Sequence, residues 1–177
     1  MAVQHNSPSC DPVVRRCLDW HRALPVLRDE TVTLRELVLG DAASLIAHLG
    51  TPAVVRYIAP PPMTLDGFQQ FIKWTRLERR RRAQMCYGII PMAETRPVGL
   101  IQLRPRDPSF TTAEWGFAVK EPAWGSGLFI NAARLLLDFA FERLGLLRLE
   151  ARALEANGRG NGVLRKLGST REGILRN

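Results

Sequence analysis

The sequence predicts a single α/β domain, and three observations carry that prediction. Short runs in which apolar and polar residues alternate are interleaved with longer runs in which apolar residues recur at helical spacing. A length of 177 residues with 46% hydrophobic residues suffices for one sizeable core. No internal repeat, low-complexity stretch or second composition regime divides the chain, and no apolar run approaches membrane-spanning length. Residues 25–177 are read as the domain. Residues 1–24 are polar and lack the apolar segment of a signal peptide, so they read as a flexible tail on a cytoplasmic protein.

The first strand spans 31–37, with Val32 and Leu34 inward. Gly40 leads to Asp41, an N-cap for a helix whose apolar face is Ala42, Leu45, Ile46 and Leu49 and which Gly50 closes. Thr51-Pro52 opens a short helical turn through Tyr57, ended by Pro60-Pro61-Pro62. Thr64 caps a helix over 65–82 that buries Phe68, Phe71, Ile72 and Thr75. Residues 84–90 and 97–103 read as a hairpin, and 111–119 as the next strand. There Trp115, Phe117 and Val119 share one face; Glu114, Gly116 and Ala118 share the other.

The stretch over 115–168 organises the rest. Gly125-Ser126-Gly127 follows a strand and opens an apolar helix over 126–144, so unpaired backbone N–H groups point out of a turn with little side-chain bulk. That is an anion site, or simply a tight turn. Leu128, Ala132, Leu135, Leu136, Phe139 and Ala140 form the inner helix face, and Gly145 ends the helix. Leu147, Leu149, Ala151 and Ala153 then alternate with Arg148, Glu150 and Arg152, as in a strand with one buried face. Its loop carries Asn157 and leads into a short helix.

The order Glu-x-Gly-Phe at 114–117, Trp-Gly-x-Gly at 124–127, helix, Leu-Gly-Leu-x-Arg-Leu-Glu at 144–150, Asn157 and Val-Leu-x-Lys-Leu-Gly at 163–168 resembles the GNAT acetyltransferases. Within them it resembles the RimJ/RimL-like branch, which acetylates protein N-termini and other amines. The resemblance covers roughly residues 26–176. It implies a mixed, mostly antiparallel central sheet flanked by helices, acetyl-CoA as cosubstrate, no metal, and direct transfer of acetyl to a primary amine. The acceptor expected first is a protein or peptide N-terminus, possible ribosomal proteins included; a small amine metabolite comes second. A homodimer is a further expectation.

The resemblance also implies that the strands at 115–119 and 147–153 splay apart to admit the pantetheine arm. Backbone groups near Phe117, Ala118 and Val119 would bond the arm and polarise the thioester. The amides of Gly125, Ser126, Gly127 and Leu128 would bind pyrophosphate, Asn157 would bond the pantetheine, and Arg165 and Lys166 would reach outer phosphates. The helical region would form one wall of an acceptor groove. Tyr57, Trp74 and Tyr87 would then line a pocket, or serve as plain core.

An acetyl thioester is already electrophilic, so the acceptor amine mainly has to be deprotonated and oriented. A protein α-amine titrates at about 7.7–8.0 and a lysine at about 10.4, so a lysine needs more help. Glu114 is the candidate general base, directly or through water; a rim carboxylate in a salt bridge is the competing reading. No cysteine or serine sits with a base in these motifs, so a covalent intermediate is not expected.

Three features depart from the family pattern. Phe129 stands where a small residue is usual, either crowding the coenzyme turn or packing inward. Gly160 stands where many relatives carry a serine that caps the last helix and protonates the departing thiolate. Relatives continue past the element at 172–176 with a turn and a strand. A chain stopping at Asn177 is then either truncated, with an open sheet edge, or has that edge covered by another segment.

The formal charge of +8 comes from 25 Lys and Arg against 17 Asp and Glu, and favours anionic ligands. The densest run, Arg79-Arg80-Arg81-Arg82, reads as a nucleic-acid contact or as cations at a helix end. A CoA-binding protein without catalysis and a basic RNA or ribosome adaptor are therefore the other classes of function. Cys10, Cys17 and Cys86 have no metal-like spacing and read as free thiols.

Overall fold

The structure, a computed structural model, describes residues 2–3 and 19–176. Most of the expected tail, with Cys10 and Cys17, lies outside the described residues. Strands β1 (Ala2–Val3), β2 (Leu27–Arg28), β3 (Val32–Glu36), β4 (Met85–Pro91), β5 (Gly99–Pro105), β6 (Thr112–Val119) and β7 (Arg148–Ala151) form one sheet. Its order is β1-β7-β6-β5-β4-β3-β2, and every neighbouring pair is antiparallel except β6–β7, which is parallel.

Helices α1 (Ala42–Leu49), α2 (Pro52–Val55) and α3 (Leu65–Arg80) lie between β3 and β4; α4 (Leu128–Asp138) joins the parallel pair, and α5 (Gly158–Lys166) follows β7. Alternation along the strands gives the sheet two apolar faces. Leu34, Tyr87, Ile101, Leu103 and Trp115 pack with α4. Leu37, Cys86 and Leu100 pack with α1 and α3 on the other side. The mixed, mostly antiparallel sheet between helices is the architecture the motifs implied.

Local details differ from the sequence reading for identifiable reasons. Asp41 precedes α1, but its carboxylate does not cap it. The chain enters through a 3-10 turn, Leu39–Asp41, which aims the fully buried carboxylate back at β3. There it accepts two bonds from Arg35, at 2.7 and 2.9 Å, and one from the Val38 N–H at 2.8 Å. Thr64 does cap α3, accepting from Gly67 N at 3.1 Å.

Helix α4 begins at Leu128, and its last turn widens into a π-helical Phe139–Arg143 segment. The Leu144 N–H there reaches back to Phe139 O at 3.0 Å. Ala132, Leu136, Phe139 and Ala140 of the expected face are buried and Leu128 and Leu135 pack against the same core, but the face is wider than expected, because Phe129 and Ala133 are buried as well. Within residues 19–24, Trp20 stacks on Phe110 at 5.5 Å and Leu24 is buried, while Asp19, Arg22 and Ala23 are exposed. The outer edge of β7 is paired over two residues, by β1.

Candidate active site

The parallel pair sets the site. β6 and β7 are paired only from Thr112↔Arg148 to Trp115↔Ala151, whereas β6 runs on to Val119, so beyond Trp115 a gap opens beside β6. Lys120 N–H donates to Val98 O at 2.9 Å, which turns the backbone groups of Ala118 and Lys120 toward β5. By alternation, Phe117 and Val119 turn their N–H and C=O groups into the gap. Of these, Val119 O accepts the Trp124 Nε1–H at 3.0 Å.

Next comes the glycine turn. Gly125 and Gly127 have φ of +79° and +87°, a region in which a side chain is strained. Nothing lies within 4 Å of where a Cβ would stand at either position, so a ligand could meet bare backbone there. Ser126 braces the turn: its hydroxyl donates to Ala123 O at 2.8 Å and accepts the Leu128 N–H at 3.3 Å. Among the described residues, the Phe129 and Ile130 N–H groups in the first turn of α4 have no backbone acceptor. The helix dipole adds a favourable field for negative charge at this end.

The gap and the turn open into one cavity of about 900 Å³. Of the residues expected to hold the coenzyme, Phe117, Ala118, Val119, Gly125, Gly127 and Asn157 line it, whereas Ser126, in the turn, and Leu128, the first residue of α4, do not. Asn157 caps α5, its Oδ1 accepting from Gly160 N at 2.9 Å, which leaves its Nδ2 to donate. Glycine at 160 has a steric reason: a Cβ there would stand 2.7 Å from that Nδ2. Lys166 lines the cavity and Arg165 does not.

Glu114 is not among the lining residues. It lies on the sheet face of Gly116 and Ala118, paired with Arg106 at 3.4 Å and Arg152 at 3.9 Å. Between Glu114 and the cavity wall at Ala118 stands Gly116, with nothing within 4 Å of its missing Cβ, so this strand face is open.

Of the three aromatic candidates, Tyr57 lines the cavity. Trp74 is 40% exposed on α3 beside Phe71, and Tyr87 is core, 1% exposed and edge-on to Phe139. Phe129 packs inward, its ring 4.1 Å from that of Phe117, and floors the cavity instead of crowding the turn. Sequence reasoning missed Trp124 and Arg159, whose guanidinium lies 4.7 Å over the Trp124 ring. The position of Trp124 just before Gly125 was a signal; Arg159, on another element, carried none.

The remaining reactive groups lie apart. Cys86 is 3% exposed, and burial pushes its thiol up to about 12, which keeps it protonated and unreactive. The arginine run is split by burial. Arg79 is 5% exposed, paired with Glu36 at 2.5 Å and bonded to His21 O. Arg81 and Arg82 line a second cavity of about 630 Å³ with Arg143, at the opposite end of β6.

The uncharacterized N-acetyltransferase p20 of Bacillus licheniformis is 29% identical over 158 residues, covering 86% of each chain. The uncharacterized N-acetyltransferase YoaA of Bacillus subtilis (strain 168) is 25% identical over 156 residues, again covering 86% of each. Among solved structures, the ribosomal-protein-S5-alanine acetyltransferase of Vibrio fischeri superposes with a TM-score of 0.74 at 17% identity, over 84% of this chain and 85% of that one. Residues 31–170, which hold every motif of the site, match the model of the acetyltransferase (GNAT) domain, and the chain belongs to that family of N-acetyltransferases.

Proposed function

We propose that this N-acetyltransferase uses acetyl-CoA to acetylate the α-amine of a protein or peptide N-terminus in the cytoplasm, as the RimJ/RimL-like branch does. The observation that carries the coenzyme reading is the continuity of the cavity from the Gly125–Gly127 turn to the unpaired edge of β6. Pyrophosphate fits the amides of Gly125, Ser126, Gly127 and Leu128. The pantetheine arm fits between the Phe117 and Val119 backbone groups and the Asn157 amide, with Ala118 as wall.

The deprotonated α-amine attacks the thioester carbonyl carbon. The C–N bond forms, the C–S bond breaks, and CoA leaves as a thiolate. Glu114 takes the ammonium proton through water along the open face at Gly116 before the attack, and the second nitrogen proton, shed as the amide forms, passes to the departing thiolate or to solvent. A thiolate with a reference pKa near 8.5 leaves without full protonation, so a glycine at 160 is tolerable. The resemblance to a solved ribosomal-protein N-acetyltransferase supports a protein acceptor.

Calorimetric titration with acetyl-CoA, followed by thiol-release assays on peptides with free and blocked N-termini, tests this reading. Micromolar binding that Gly127→Val loses, with turnover on free N-termini only, is the expected result. No binding by well-folded protein overturns the coenzyme assignment. Turnover confined to free small amines overturns the acceptor assignment.

A further inference from the structure

Among the described residues, the gap-facing carbonyl of β6 with a side-chain partner is Val119 O, and that partner is the indole N–H of Trp124. Trp124 stands immediately before the glycine turn, and Arg159, from α5, lies on its ring. Among the described residues the Arg159 guanidinium has this ring for a partner and no carboxylate. A cation held only by a ring face is weakly held in water, whereas a multiply charged phosphate ligand offers it charge-assisted hydrogen bonds. Both side chains line the cavity, one beside the turn and one across from it.

We propose that Trp124 and Arg159 form a latch that the coenzyme opens. This inference rests on the acetyl-CoA reading above. A phosphate of the coenzyme draws Arg159 off the indole. Trp124, released from its stacking partner, gives up Val119 O, and an amide N–H of the pantetheine arm takes that carbonyl in its place. Arg159 is thereby a phosphate-binding residue, and Trp124 sets how readily the arm is admitted. Glycines at 158 and 162, neither with an atom within 4 Å of its missing Cβ, put no side chain of their own beside Arg159, so the guanidinium has room to swing.

The two roles predict effects of opposite sign. Trp124→Phe keeps a ring for Arg159 but has no N–H to displace, so acetyl-CoA binds about three- to tenfold more tightly, the weight of one ordinary hydrogen bond. Arg159→Gln weakens binding by roughly tenfold or more, as loss of a charged hydrogen bond does, and Arg159→Lys recovers part of it. Calorimetry gives the affinities. Tryptophan emission, changing on CoA addition in the unmodified protein and unchanging in Trp124→Phe, reports the release of the indole.

If Trp124 is only a structural brace, Trp124→Phe lowers thermal stability and leaves affinity equal or weaker, and the latch is overturned. Binding at full affinity with no Trp124-dependent change in emission also overturns it, while leaving the coenzyme site standing. Absence of acetyl-CoA binding in all folded variants overturns the coenzyme reading and the latch with it.

Discussion

Asp41 shows how one buried carboxylate can organise a chain segment. Burial alone pushes its carboxyl pKa up, but the two bonds from Arg35, the Val38 N–H and the nearby Arg96 outweigh that, and the pKa is lowered. A group with a lowered folded pKa contributes stability above its unfolded value of about 3.9, and that contribution is lost as pH falls through the folded value. Asp41→Asn should therefore cost about 3 kcal/mol in urea unfolding at pH 7, the usual cost of leaving a buried ion pair broken. The gap to the unmodified protein should narrow below about pH 4. A pH-independent gap would assign the effect to packing. Glu114 is a different case, because its two arginines are half-exposed and the pairing is weak evidence of a structural role. Glu114→Gln should lower the single-turnover rate about a hundredfold below the pKa of the acceptor amine and less above it. An unchanged rate across that range would remove Glu114 as the base.

Helix α5 balances two local preferences that the sequence shows only as an oddity. A glycine in a helix costs roughly 1 kcal/mol relative to alanine, and an Asn N-cap is worth about the same. Gly160→Ala gains the first term and, with its Cβ 2.7 Å from Asn157 Nδ2, disturbs the second. The melting temperature should accordingly move little. Acetyl-CoA affinity should fall severalfold, because the Asn157 amide is displaced from the cavity; equal affinity would mean that Asn157 serves the helix alone. The turn at 125–127 and the cap at 157 were legible because each is made by residues adjacent in sequence, with glycine at positive φ and Asn at a helix start. The wider face of α4 was not, because it depends on the Phe129 ring finding Phe117 on the neighbouring strand β6, and the π turn that follows has hydrogen bonds that leave no composition signature. Asp41 read as a cap for the same reason: its true partner, Arg35, lies beyond the four-residue window in which capping is decided.

The mixed, mostly antiparallel sheet and the two strands that part to open the cavity follow from motifs in a fixed order, so much of the architecture was readable; the strand order and the edge strand β1 were not, nor was which residues the fold brings together from separate elements. Trp124 and Arg159 are thirty-five positions apart, and Tyr57 reaches the same cavity from another region. The arginine run misleads for a related reason, since folding buries Arg79 against Glu36 and leaves its neighbours at the far end of the sheet from the glycine turn. The net charge of +8 acts on the anionic coenzyme as a long-range field as well as through the cavity. Screening shortens that field from about 30 Å at 0.01 M salt to about 3 Å at 1 M. Stopped-flow association of acetyl-CoA should therefore slow by roughly tenfold across this range. The dissociation rate, set by the amides of the turn and by short contacts within the cavity, should change far less. An association rate independent of salt would mean that the net charge of +8 does not steer the coenzyme and that capture is governed by the glycine turn alone.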